Sequence, residues 1–279
     1  MGAVRPGVIS CALALLLAAC TSGASPHAKP SLGPGSALAT RPPTTSAARP
    51  IAPAARPTAT HSRAPAAAAT DPVHYPSAPP ESRLPLAFET GSASQVITVV
   101  APSAASTTAV LQAWQRRGSG WAPVGSALSA YLGTAGMSSH PSEMISATPI
   151  GSFTLTQAFG HDRNPGTSLP YRQTTPADWW ISQPGPLYNT MQNCASSCSF
   201  TQGDPNEHLY YEMPYYTYAV VIDYNRSPVA QGAGSAYFLH VSVGQPTQGC
   251  ISIPLDSLVN LMRWLTPTAH PRILIGVGG

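Results

Sequence analysis

Charged side chains are scarce in this chain: Asp, Glu, Lys and Arg make up 9% of its 279 residues. The formal charge of +3 is also unevenly placed. Residues 91–279 hold seven arginines against eight carboxylates and no lysine. That part of the chain is not basic, so no nucleic-acid partner is expected. Long apolar runs are missing as well. The one near the N-terminus, Val8 to Ala19, has twelve residues, short of the about 20 that a membrane-spanning helix needs. A second closely spaced pair of cysteines or histidines is absent too. Cys194 and Cys198, within the run NCASSCSF, therefore lack the companions of a zinc site, and no zinc is expected there.

What is abundant is proline, with 31 residues, and its distribution divides the chain. Arg5 followed by the apolar run predicts an export signal over residues 1–19. Its ending, Leu17-Ala18-Ala19-Cys20, resembles the lipobox of bacterial lipoproteins. That resemblance implies cleavage before Cys20 and lipidation of its thiol. The protein would then reach the membrane through its N-terminal lipid. The alternative is an ordinary secretory signal with an incidental cysteine, which gives a secreted protein. Residues 20–90 are dominated by Ala, Pro, Ser and Thr. They carry too little apolar surface to offset the entropy of ordering, and a disordered tether is expected. A folded domain is expected over 91–279, on the extracytoplasmic side of the cell envelope.

Of the five cysteines, Cys11 lies in the signal and Cys20 at its end. In an oxidising compartment Cys194 and Cys198 are natural disulfide partners, which leaves Cys250 unpaired. Closing so short a loop stabilises by only about 2 kcal/mol in the chain-entropy model. A free thiol in an exported protein invites a reactive role.

The domain is expected to be mostly β, with one amphipathic helix and long loops. Val96–Val100, Ala109–Arg116, Trp121–Val124, Ala127–Leu132, Phe153–Phe159, Tyr216–Tyr224 and Ile273–Val277 have strand composition. Gly118-Ser119-Gly120 marks a hairpin. Pro254–Leu265 has helical spacing, with Leu255, Leu258, Val259, Met262 and Leu265 on one face. Between Tyr171 and Tyr218 lies a loop-rich stretch carrying Trp179, Trp180, Tyr188, Tyr210, Tyr211, Tyr215 and Tyr216, aromatics suited to a cleft or to core packing.

The run from Tyr237 to Ile253, YFLHVSVGQPTQGCISI, concentrates the chemistry. Tyr237, Leu239 and Val241 alternate with Phe238, His240 and Ser242, the period of a strand with two unlike faces. Gly244 and Pro246 break it, and Gly249 precedes Cys250 at the start of a second apolar run. An imidazole beside a thiol can take its proton and create a nucleophilic thiolate. The same spacing also suits an inert buried thiol beside a hydrogen-bonded core histidine.

Several runs together resemble the L,D-transpeptidase catalytic domain, the YkuD-like family, over about residues 95–277. They are TPIGSF (148–153), AFG (158–160), Trp179-Trp180, PLYN (186–189), EHL (207–209), YAVVIDYN (218–225), GSAYFLHV (234–241) and TQGCI (247–251). The resemblance implies a β-sandwich-like fold and a cysteine enzyme acting on peptidoglycan stem peptides without a cofactor. Carried over by position, Cys250 is the nucleophile and His240 the imidazole that activates it. Thr247, Gln248 and Gly249 surround the oxyanion and substrate, with backbone N–H groups around Gly249 and Cys250 as donors. The reaction implied releases D-alanine, passes through a thioester and forms 3→3 cross-links; with water as acceptor it becomes a carboxypeptidase. Carbapenem-type inhibitors are expected to acylate such a thiol. Where the family carries Ser-His-Gly-Cys, this chain has Gln248 before Gly249, which cannot titrate. His208 is a candidate for a second imidazole or a structural loop residue, and a wall-binding lipoprotein without catalysis is the third reading. Ser252 stands where family members carry Arg or Asn to hold a substrate carboxylate; Arg172, Arg226 and Arg263 are candidates to replace it.

Overall fold

The computed structural model describes residues 82–278. The expected signal (1–19), Cys20 and the tether as far as residue 81 lie outside the described residues. Among those described, no helix is long and apolar enough to cross a membrane.

The described chain is mostly β. In order it forms β1 (Gln95–Ala101), β2 (Thr108–Arg117), β3 (Gly120–Tyr131), β4 (Met137–Ser138), β5 (Thr148–Pro149), β6 (Gly151–Thr154), β7 (Ala158–Gly160) and β8 (Tyr171–Gln173). There follow β9 (Asp178–Ile181), β10 (Thr190–Asn193), β11 (Glu207–His208), β12 (Ala219–Val221), β13 (Phe238–Val241), β14 (Ile251–Ile253), helix α1 (Leu255–Trp264) and β15 (Arg272–Val277). Ten strands make one sheet in the order β6-β15-β1-β2-β3-β14-β13-β12-β7-β8. Strands from distant parts of that order share a single core: Ile97, Leu111, Val220, Leu239, Ile251 and Ile275 pack with Leu258, Leu261 and Met262 of α1. The sheet must curl around the helix for this to happen. Both walls of the core are therefore supplied by one continuous curled sheet.

Helix α1 follows β14 after Pro254, whose fixed φ suits a helix start. Asp256 in the first turn and Arg263 in the last oppose the helix dipole favourably. The apolar spacing places Leu255 on the buried face, but Leu255 is exposed and Leu261 takes that place in the core. Position 255 stands at the very start of the helix, before the turn that meets the sheet.

Three other expectations are corrected by the fold. The runs Trp121–Val124 and Ala127–Leu132 are one strand, β3, carried through Gly125 at φ +65. A register shift opposite Leu111 and Ala113 absorbs the irregularity, and Gln112 Nε2 donates to the Val124 carbonyl at 3.0 Å. Phe153–Phe159 is two strands: β6 pairs with β15, while β7 pairs with β12 and β8. Tyr216–Tyr224 yields only the three residues of β12, because Tyr215–Thr217 turn as a short 3-10 segment. The fold also begins before residue 91. Ser82 exchanges two backbone hydrogen bonds with Trp121, and Leu84, Leu86 and Phe88 pack with Trp121, Val96 and Leu274.

The long stretch from 171 to 218 contains its own sheet, in the order β10-β9-β11. Its anchor is Asp178, buried at the head of β9. Burial alone would raise the Asp178 carboxyl, but hydrogen bonds from Asn193, Arg172 and Thr175 outweigh it and hold the group below its usual range. The alternation of β9 then splits its side chains. Trp180 faces the large sheet and packs with Phe159, Phe238 and Tyr216. Trp179 and Ile181 face the other way, into a satellite cluster with Phe200, Cys194 and Cys198. Cys194 and Cys198 form a disulfide, as expected, and pin the loop after β10.

Candidate active site

Strands β13 and β14 run parallel in the interior of the sheet, with Leu239 opposite Ile251 and His240 opposite Ser252. Alternation sends Leu239, Val241, Ile251 and Ile253 into the core around α1. Phe238, His240, Cys250 and Ser252 consequently share the opposite face. There they meet a cleft of about 770 Å³ whose lining includes His240, Cys250 and Ser252. His240 and Cys250 are diagonal neighbours on that face. Strand spacing and rise put their backbones roughly 8 Å apart, within reach of an imidazole. The structure thus brings together the two side chains that the sequence singles out.

Both are at rest. Cys250 is the free cysteine among the described residues, and it is buried. Its Sγ donates to the Ala236 carbonyl at 3.4 Å rather than to the ring. Burial, reinforced by the Glu207 carboxylate and opposed by the Phe238 N–H, pushes the thiol well above its ordinary range. His240 is 4% exposed. Its Nδ1 lies 2.9 Å from the Val241 carbonyl, which can only accept, so Nδ1 carries the hydrogen and Nε2 keeps a lone pair. Burial lowers its pKa to about 4, with the Val241 bond opposing. The resting pair is a neutral thiol with a neutral imidazole, so His240 can act as base without first losing a proton.

The loop before Cys250 is tied down by Thr247. Its hydroxyl donates to the Cys250 carbonyl at 2.6 Å and accepts from the Gly249 N–H at 3.1 Å. This alters one expectation: the Gly249 N–H is already bonded and is not a free oxyanion donor, while Thr247 both holds the loop in shape and lines the cleft. Gly249 sits at φ +132, and a Cβ there would come within 2.8 Å of the Tyr237 ring, so no other residue fits. Gln248 is exposed and lines the cleft.

His208 does not join the site. It pairs with Trp179 across β11 and β9, so it faces away from the large sheet. Its ring stacks on Trp179 at 3.8 Å, and its Nε2 donates to the Pro176 carbonyl at 2.7 Å. Its neighbour Glu207, opposite Trp180, is the residue that lines the cleft. Tyr216 donates a short hydrogen bond to Glu207. The Tyr216 ring in turn meets the His240 ring edge-on at 5.7 Å. Burial pushes Glu207 up to about 7, against the Tyr216 bond and helped by Glu212 and Glu143. Glu207 is the group that sequence reasoning misses; its signal was its place beside His208 on a two-residue strand, where one of the two must face inward.

Of the aromatics between 171 and 218, Tyr215 and Tyr216 line the cleft, whereas Trp179, Trp180 and Tyr188 are buried in packing. Nor do the three candidate arginines reach it. Arg172 pairs with Asp178, Arg226 with Asp223, and Arg263 donates to the Pro165 carbonyl. Among the described residues no group of three or more His, Cys, Asp or Glu is placed to hold a metal ion. No family model, no curated protein and no solved structure matches the chain.

The two shifted groups act on stability in opposite directions. Between about pH 4 and 6.5 the unfolded chain protonates His240 and the folded one does not, so stability falls as pH drops, by up to about 3 kcal/mol. Between 4.5 and about 7 the folded chain keeps a proton on Glu207 that the unfolded one loses, so stability falls as pH rises. The slopes offset over 4.5–6.5. Glu207→Gln is expected to unmask the His240 slope: its melting temperature should climb with pH across that window more steeply than that of the wild type. Parallel melting profiles for the two proteins would contradict the neutral burial of these groups.

Proposed function

We propose that the protein is a cysteine-dependent L,D-transpeptidase acting on peptidoglycan stem peptides. The observation that carries the reading is the shared face of β13 and β14, which presents an unpaired thiol and a neutral imidazole with a free Nε2 lone pair to one cleft. The resemblance over residues 95–277 supplies the substrate class, including an L,D-transpeptidase-like form of the curled β fold.

In this reading a stem peptide entering the cleft displaces Sγ from the Ala236 carbonyl by rotation about the Cα–Cβ bond. His240 Nε2 takes the thiol proton as sulfur attacks the carbonyl carbon of the third residue. The carbon–nitrogen bond to D-alanine then breaks, and its nitrogen leaves with the proton held by His240. An amine of a second stem attacks the thioester, gives its proton to His240 and expels the thiolate, which takes that proton back. The Phe238 N–H beside Sγ favours the thiolate at each of these moments.

The test is incubation of a stem tetrapeptide with and without an acceptor amine. Free D-alanine together with a cross-linked dimer is expected. Release of D-alanine without any dimer would replace transfer by hydrolysis, the carboxypeptidase reading. Absence of both products would leave a wall-binding protein.

A further inference from the structure

In the reaction proposed above, two proton movements have no group assigned to them. At neutral pH the amine of a second stem arrives as an ammonium ion, with a pKa of about 10 and no lone pair for attack. His240 takes one proton during the attack, and another must go beforehand. The departing D-alanine has the opposite need. It leaves as a neutral amine with the proton from His240, and gains a further proton to become an ammonium ion with a pKa of about 8.

Glu207 stands where both amines pass. It lines the cleft with Cys250 and His240, and after burial it is the group that raises the Cys250 thiol. Tyr216 engages its Oε2 through a short hydrogen bond. Among the described residues Oε1 has no hydrogen-bond partner, so it is the oxygen free to give or take a proton. The Tyr216 ring also rests edge-on against His240 at 5.7 Å, which sets the carboxyl beside the thiol and imidazole. Glu212, from the segment between β11 and Tyr216, and Glu143, from the loop between β4 and β5, face Glu207 as well. Asp204, from the loop before β11, lines the same cleft. These three are exposed, so solvent and salt screen them. No arginine or lysine lines the cleft.

We infer that Glu207 relays a proton between the two amines: as an acid it protonates the departing D-alanine, and as the resulting carboxylate it takes a proton from the entering ammonium ion. This rests on the transpeptidase reading above and adds a catalytic residue to it. In the first half the O–H bond at Oε1 breaks and an N–H bond forms on the leaving amine. In the second an N–H bond of the acceptor breaks, the acid is restored, and the freed lone pair attacks the thioester carbonyl. The acceptor nitrogen passes its next proton through His240 to the departing thiolate and keeps the third as the amide hydrogen. The site ends with the protons it began with. Because Glu207 titrates at about 7, the first transfer runs downhill, and the second draws on the reactivity of the thioester.

The full-length wild type, Glu207→Gln and Glu207→Asp are given a stem tetrapeptide as donor. The acceptors are a stem amine, hydroxylamine, which is uncharged at neutral pH, and water. Mass spectrometry follows the thioester, the dimer, the hydroxamate and the tripeptide acid. Glu207→Gln is expected to lower the ratio of dimer to tripeptide about a hundredfold. Hydroxylamine, which arrives with its lone pair free, should restore transfer in that variant, and Glu207→Asp should recover part of the dimer. In the wild type, thioester formation should fall as pH rises through about 7, and dimer formation from the thioester should level off there. In Glu207→Gln thioester formation should stay level across that range, and dimer formation should keep climbing with the fraction of neutral amine. Loss of dimer and hydroxamate alike in Glu207→Gln overturns the relay, and so does a dimer ratio equal to that of the wild type. A wild-type dimer rate that climbs through pH 7 without levelling overturns it without recourse to any variant. Absence of thioester in the wild type defeats the transpeptidase reading and the relay together, whereas any of the other contrary results, with thioester formed, defeats the relay alone.

Discussion

Cys250→Ala is expected to lose thioester formation altogether, a drop of at least about 10³-fold, while keeping its fold. The thiol is buried among Phe159, Phe238 and Trp180, so deleting one sulfur atom removes modest packing, at a cost of about 1 kcal/mol. It also removes a group whose ionisation the site opposes, and its contacts, a bond to the Ala236 carbonyl and the Phe238 N–H beside Sγ, tie down no other side chain. Exposure to a carbapenem followed by intact mass reads the result. The wild type should gain one inhibitor mass, and the variant none, with both showing the same circular dichroism. An adduct on the variant would move the nucleophile elsewhere. No adduct on the wild type would favour the binding protein.

Asn189→Ala should cost the most stability. Asn189 is buried, at φ +58, a left-handed conformation that asparagine tolerates and alanine does not. Its Oδ1 accepts from the Trp180 indole at 3.0 Å and from the Ala236 N–H at 3.2 Å. Its Nδ2 donates to the carbonyls of Tyr224 at 3.0 Å and Asn225 at 2.8 Å. Alanine leaves four polar groups without this partner and adds backbone strain. The expected loss is about 4 kcal/mol, which lowers the melting temperature by roughly 8–16 °C in a domain of this size. Asn189→Gly keeps the backbone conformation and separates the two causes; it should recover part of the loss and not all. Acylation by a carbapenem should slow in both, because the Ala236 that Asn189 fixes also carries the carbonyl that holds the thiol. A melting temperature within a degree or two of the wild type would remove Asn189 from this role.

What could be read in the chain before folding was whatever repeats locally. His240 and Leu239 on opposite faces follow from a period of two, and the position of Cys250 follows from the breaks at Gly244 and Pro246. The disulfide followed from a short spacing in a chain expected to be exported. What could not be read was pairing between distant segments. Glu207 and His208 exchange roles according to which of them lies opposite Trp180, and a strand of two residues carries no periodicity to decide it. The same holds for Phe153–Phe159, an unbroken strand by composition that the curl of the sheet divides between β15 and β12. The arginines were equally opaque: Arg172 is committed to Asp178, a contact made six positions away through a turn.

The place of each group in the sheets also sets how long it stays in position. β13 and β14 are interior strands, flanked on both sides and packed on both faces. Their amide protons should exchange with solvent only when the whole domain opens. β11 is a two-residue edge strand held by β9 alone, and it should exchange through small, frequent openings. An opening of β11 would therefore move Glu207 while Cys250 and His240 stay in place, so the charge of the cleft is carried by a more loosely held element than its thiol and imidazole.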